Sequence, residues 1–195
     1  MKQKNNRDDQ TYWAQIGLQP PYSLEAEQAV LGSVLMDGSQ ISRVADLLRP
    51  EHFYLPEHQS VYRVMLDKMM VSQVIDFVTV LEAVKSETFF AGEEGKKYLF
   101  KMAQMVPAIV NIEHYARIIR NKFDARALMK AAREIMENAA DPGGDSKRMM
   151  ESAAQKIYDI SQGRQSGGLT PLNECLASSY EMLSKLTSPE REKYI

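Results

Sequence analysis

The sequence predicts an all-α protein: a compact helical head, then a long antiparallel helical hairpin, then a C-terminal helix beyond a glycine joint. Three observations predict it. Apolar residues recur at helical spacing in nearly every segment. Proline, glycine and aspartate-serine pairs divide those segments at plausible helix ends. One stretch, Asn111 to Ala140, keeps helical spacing without a breaker for about 45 Å at a rise of ~1.5 Å per residue, longer than an ordinary globular helix.

Residues 1–20 show little periodicity before Tyr12, Trp13 and Ile16 and run into Pro20-Pro21, which reads as a mobile tail. Ser23 can cap a helix from Leu24 to Met36, with Ala26, Val30, Leu31, Val34 and Leu35 on its core stripe and Gly32 permitting close packing. After Asp37-Gly38-Ser39, the positions Ile41, Val44, Ala45, Leu47 and Leu48 predict a short second helix that ends at Arg49-Pro50. Pro56 opens a third helix with Val61, Val64, Met65 and Met69 inward. Asp76 caps a fourth carrying Val80, Leu81 and Val84, and Gly95 precedes a fifth carrying Tyr98, Leu99, Met102 and Met105.

The head is therefore expected over 21–107 and the hairpin over 108–162, with Asp141-Pro142-Gly143-Gly144 as its turn. Asp145-Ser146 caps the returning helix, whose inner stripe is read as Met150, Ala153, Ala154, Ile157 and Ile160. Residues 163–195 hold a flexible joint, Gly163 to Gly168, and a last helix with Leu172, Leu176, Leu183 and Leu186 on one side, a helix that needs a surface to lie on.

Composition excludes several functions. With 44% hydrophobic and 26% charged residues, well interleaved, there is no membrane-length apolar run and no secretory leader, so a cytoplasmic protein is expected. A net charge of −2 argues against strong direct binding to nucleic acid, which needs clustered Lys and Arg. The single cysteine, Cys175, reads as a packing residue. His52, His58 and His114 show no metal-ligand spacing, and His58 reads as a polar residue satisfied at a helix start. No glycine-rich loop has the spacing of a phosphate-binding motif. Glu25 and Glu27 point about 200° apart on a helix, so helix-end electrostatics is their expected role rather than paired catalysis. Neither catalytic residue, cofactor nor metal is expected.

What remains is surface. The long arm carries apolar residues on more than one face: Ile112, Ala116, Ile119 and Phe123, and also Ile118, Ala125, Met129 and Met136, more than one partner helix can cover. Tyr98, Met129, Ile135 and Met136 fit either partner anchors or internal core. Lys122, Arg126, Lys130 and Arg133 read as a solvated face, because Asp124, Glu134 and Glu137 intersperse them.

The run Pro21-Tyr-Ser-Leu-Glu-Ala-Glu-Gln-Ala-Val-Leu-Gly32 resembles the opening signature of the N-terminal domain of the DnaB family of replicative helicases. The resemblance continues through Phe53-Tyr54, His58, Tyr62, Asp76, Thr79-Val80, Tyr98-Leu99, Val106-Pro107, Asn111 and Tyr115-Ala116-Arg117-Ile118, with Gly95-Lys96 departing from the family's usual paired glycines. It implies a non-catalytic collar, with hairpins that pair between subunits and three dimers that close on a hexameric ring. It also implies docking of the C-terminal domain of primase, with a helicase loader as a further partner. Leu169 to Leu186 resemble the linker helix, which implies docking of Leu172, Leu176, Leu183 and Leu186 on a neighbouring motor domain. The RecA-like ATPase that follows in the family is absent from this sequence, so no enzyme activity is expected of it. The competing reading is a freestanding helical adaptor that regulates a full-length helicase by mixed oligomerisation.

Overall fold

A computed structural model of the chain describes residues 12–14, 16–104, 111–141 and 143–165, with backbone alone for 163–165. Among these residues there are helices and turns and no strand. Helix α1 spans Leu24–Met36 and starts where Ser23, extended, accepts the Ala26 N–H on its Oγ at 3.3 Å. Its inward side chains, Val30, Leu31 and Val34, are fully buried. At its end Asp37 accepts from the Ser39 amide and from the side chains of Ser39 and Gln40. These bonds, chiefly Gln40's, hold its carboxyl below the ordinary value.

The short second helix expected next is not α-helical. Gly38–Arg43 is a 3-10 helix, followed by turns in which the Leu47 N–H reaches the Val44 carbonyl at 3.0 Å. Apolar residues three apart, Ile41, Val44 and Leu47, satisfy a three-residue period as well as a 3.6-residue one, so the pattern could not separate them. Tight winding here also suits Gly38, where a Cβ would come within 2.4 Å of the Ile75 carbonyl oxygen. A second 3-10 turn, Pro50–His52, leads to α2, Pro56–Met70, with proline in its first turn.

Helix α2 ends in a Schellman arrangement: the Gln73 N–H bonds the Lys68 carbonyl at 2.9 Å and the Ser72 N–H bonds Met69 at 3.1 Å. Ser72 takes the left-handed position this requires, with φ 51°. Helix α3, Phe77–Val84, has a reciprocal capping box between Asp76 and Thr79. Helix α4 runs Glu93–Gln104, so Gly95 lies inside the helix rather than before it. A Cβ there would meet the Phe89 carbonyl oxygen at 2.4 Å. Close packing, not helix breaking, is its reason.

Helix α5, Ile112–Ala139, starts where Asn111 accepts the His114 N–H on Oδ1 at 3.2 Å. Its first turns belong to the head: Ile112, Ala116 and Ile119 are buried in the same cluster as Val30, Tyr62 and Leu99. The head's core thus continues past residue 107 into the arm. Helix α6, Ser146–Gln165, returns after the turn, with Asp145 accepting the Lys147 amide. Lys156 of α6 pairs with Glu134 of α5.

The inner stripe of α6 is displaced from the expected one. Met149, Ala153, Lys156 and Ile160 are half-buried, whereas Met150, Ala154 and Ile157 face solvent. Two apolar registers one residue apart coexist on this helix, and the ion pair to Glu134 accompanies the less apolar one. The tail also differs over its last part. Tyr12–Ala14 form a helical turn in which Trp13 is 6% exposed, closed at Gly17 (φ 73°) by the Leu18 N–H to Trp13 carbonyl bond.

Ser72→Gly removes the left-handed strain of an exposed L-residue at the end of α2. It is expected to stabilise the chain by up to about 1 kcal/mol, read as a higher urea midpoint. An unchanged or lowered midpoint would count against the cap assignment.

Candidate interaction surface and the junction that positions it

The head and the arm meet at buried polar groups. Glu27 of α1 is 2% exposed, the opposite of the solvated helix-end role expected for it. The 200° separation on the helix is what leaves Glu25 in water and turns Glu27 inward. Glu27 Oε1 accepts the Tyr54 N–H at 2.7 Å, and Oε2 lies 2.7 Å from Nδ1 of His58, which is fully buried. A carboxylate only accepts, so Nδ1 donates, and in the neutral ring Nε2 then accepts from the Tyr98 hydroxyl at 2.9 Å. Gln28 Nε2 donates to the same hydroxyl oxygen at 3.0 Å. Every donor thus meets an acceptor, as burial demands. Desolvation raises the Tyr98 pKa, opposed by the bond from Gln28.

Arg126 of α5 closes the junction from the arm. Its guanidinium donates to the Pro21 carbonyl at 2.9 Å and the His52 carbonyl at 2.7 Å and stands over the Tyr54 ring. Burial lowers its pKa and the Glu27 charge opposes that shift. Arg126 is therefore not part of a solvated face, nor is Arg133, which bonds Glu137 at 2.8 Å and lies 4.2 Å from the Tyr12 ring. His52 accepts the Arg49 N–H on Nδ1 at 3.0 Å and packs against Phe123 of α5. Burial, then the Arg120 charge, lowers its pKa to about 4.

Beyond the junction the hairpin presents apolar surface that is exposed among the described residues. On α5, Leu128 and Met136 are half-exposed, and Ala132 and Ala139 fall on the same side at spacings of three and four. On α6, Met150 is 72% exposed, and Ala154, Ile157 and Tyr158 continue its face. Of the anchors expected from sequence, Met136 lies on this surface, with Ala125 and Ile135 part-buried at its edge. Met129 lines the cleft between arm and head. Ile118 packs on the head core and Tyr98 belongs to the Glu27 network, and both are half-buried. Leu172, Leu176, Leu183 and Leu186 lie outside the described residues, as does Cys175. Leu128 and Tyr158 are not among the residues singled out from sequence, and Met150, Ala154 and Ile157, expected to face inward, are exposed. Their spacing was visible, but which stripe turns outward was not.

The sequence profile of the DnaB-like helicase N terminal domain family matches residues 19–121. The chain belongs to that family. It is 31% identical over 173 residues to the replicative DNA helicase DnaB of Geobacillus stearothermophilus, a match covering 89% of this chain and 38% of that protein. The chain thus spans well under half the length of such relatives. The crystal structure of the N-terminal domain of DnaB helicase from Mycobacterium tuberculosis superposes with a TM-score of 0.66 at 34% identity, over 72% of this chain and 99% of that one. A DnaB-like replicative helicase, described with its interactions with primase, superposes at 0.62 and 25% identity, over 85% of this chain and 37% of that one.

Membership in the DnaB family and the junction explain each other. Glu27, Gln28, Tyr54, His58 and Tyr98, scattered through the resemblance as separate landmarks, form one hydrogen-bonded cluster. Glu27 and Gln28 of the opening signature therefore take part in building the head. Among the described residues no group of three or more His, Cys, Asp or Glu could hold a metal ion, and no helix is long and apolar enough to cross a membrane.

Two outcomes follow from this junction. Glu27→Ala leaves the Tyr54 amide and His58 without an acceptor and is expected to cost about 3 kcal/mol, whereas Glu25→Ala stays within about 0.5; equal urea midpoints for the two variants would contradict the network. The unfolded chain protonates His52 near pH 6.5 and the folded chain only near about 4. The unfolded state therefore binds more protons across that window, and stability declines as pH falls through it. His52→Asn, which keeps an acceptor for the Arg49 amide, should flatten the decline in urea titrations run from pH 7 to pH 4.5.

Proposed function

We propose that this chain is the N-terminal collar module of a replicative DNA helicase, pairing its hairpin with that of another subunit and receiving primase on the assembled surface. The observation that carries this reading is the pair of exposed apolar stripes on α5 and α6, Leu128 to Ala139 and Met150 to Tyr158, in a chain of the DnaB family. Exposed apolar surface at regular helical spacing suits a helical partner. Each Leu, Met or Ile covered there, most of them already about half-buried, contributes about 1 kcal/mol before the costs of association. The interactions with primase described for a DnaB-like relative support the second role.

Within this reading the collar is a trimer of dimers on a hexameric ring, and the C-terminal domain of primase bridges paired hairpins. The leucines Leu172, Leu176, Leu183 and Leu186 would lay a linker helix on a neighbouring motor domain, and a helicase loader is a further partner. Met136, with Ala125 and Ile135 beside it, takes the anchoring role on α5. Met129 supports that face from the cleft side, while Ile118 and Tyr98 act through the fold of the head. ATP-driven unwinding belongs to the motor domain of the helicase, and the net charge of −2 leaves DNA to other surfaces.

Leu128→Glu with Met136→Glu, and separately Met150→Glu with Tyr158→Glu, place charges in these stripes. At least one double variant is expected to weaken self-association or primase binding by about tenfold or more. Light scattering and calorimetric titration with the cognate primase C-terminal domain read the two losses independently. Folded variants that keep both the assembled mass and the primase affinity of the parent would overturn the proposal.

A further inference from the structure

Residues 12–14 and 16–21 cross the arm rather than trailing from it. At the near end of this segment, the Pro21 carbonyl accepts from Arg126 at 2.9 Å, and Tyr22 stacks on Tyr54 of the head with ring centroids 4.5 Å apart. At the far end, the ring of Tyr12 lies 4.2 Å from the guanidinium of Arg133. Arg126 and Arg133 are seven residues apart on α5, two turns or about 10.5 Å along one side of the helix. The segment therefore spans the same side of the arm and is gripped at both ends by arginines of a single helix.

Between those grips sits Trp13, the sole tryptophan of the chain and 6% exposed. Its ring meets Tyr12 edge-on at 4.9 Å. It lines a cleft of about 580 Å³ whose walls include Phe53 of the head, Phe123 and Met129 of α5, and Ile160 of α6. The turn that carries it is closed at Gly17, where φ of 73° favours glycine, so the tryptophan is presented on a defined backbone. Trp13 and Pro20 of the segment are thus walls of this open cleft together with side chains of the head, α5 and α6, all from this one chain.

We propose that residues 12–21 are a strap that locks the hairpin against the head, with the buried Trp13 as the bolt at the wall of the cleft and Tyr12 against Arg133 as its latch. The first turns of α5 are held by the head's core, but the helix beyond Phe123 has far less head surface against it. Its angle is set there by Arg126 and by the strap. Release of the strap frees the distal half of α5 together with α6, and so changes where the hairpin's exposed stripes point. The inference concerns the joint between head and hairpin and stands whether or not those stripes receive primase.

A single tryptophan makes the test direct. In the full chain, Trp13 emission should be blue-shifted relative to the urea-unfolded chain and unchanged on dilution. In hydrogen exchange at matched concentration, Trp13→Ala should speed exchange in residues 126–139 and 146–162 by roughly tenfold, with Tyr12→Ala giving a smaller rise in the same segments and both leaving α1 and α2 unchanged. Native emission equal to that of the unfolded chain, or unchanged hairpin exchange in both variants, would overturn the strap. Emission that shifts on dilution would overturn its seating within one chain in favour of exchange between copies. If Trp13→Ala speeds exchange throughout the head, Tyr12→Ala decides: a rise confined to the hairpin supports the strap, and no rise there refutes it.

Discussion

The buried carboxylate of Glu27 is the constraint around which this head is assembled. A charge so placed is tolerable only when hydrogen-bond donors and a cation answer it. Here the Tyr54 amide, the His58 ring and the nearby Arg126 do so. Those partners come from the connection after the second 3-10 turn, from α2 and from α5, while Tyr98 of α4 closes the far side. Burying one side chain therefore ties α1 to the start of α2, to α5 and, through His58, to α4. Apolar packing around Val30, Tyr62 and Leu99 supplies bulk cohesion, but it lacks this directional demand.

Helix α5 transmits that placement outward. It serves as core in its first turns, as junction at Phe123 and Arg126, and as open surface at Leu128 and Met136. A helix with three successive environments cannot show a single apolar stripe, which is why apolar residues appear on several of its faces. The same division separates roles in the family signature. Landmarks before residue 100 build the head, whereas the surface that meets partners in the proposed function lies on α5 and α6. A rigid head that holds one end of a long helix is an economical way to present an apolar face at a set distance from the core.

The arginines along the arm show how charge and aromatic surface cooperate at this joint. Arg126 and Arg133 both stand near rings, Tyr54 and Tyr12, and both make hydrogen bonds in addition. A planar guanidinium can stack and donate at once, which an ammonium cannot do in the same geometry. Lys130, on the same helix, is exposed. In composition all three residues look alike; their neighbours in space separate them.

Helix boundaries were largely legible from the sequence because they are local. Ser23, Pro56, Asp76 and Asn111 each satisfy or dispense with an amide within the next few residues, and the helices start where those residues say. The all-α class and the long arm follow from the same local periodicity. Tertiary structure alone decided the rest. Whether Ile41 to Leu48 winds as α or as a 3-10 helix and turns was not in the pattern, since apolar residues three apart satisfy both periods. Whether Met149 or Met150 turned inward depended on how α6 lay beside α5, because both registers are apolar and only the partner helix chooses between them. Glu27, Tyr98, Trp13 and Arg126 could be identified by residue type yet not by role. Their burial is set by segments tens of residues away, and a pattern read along the chain carries no information about which distant side chain arrives to meet it.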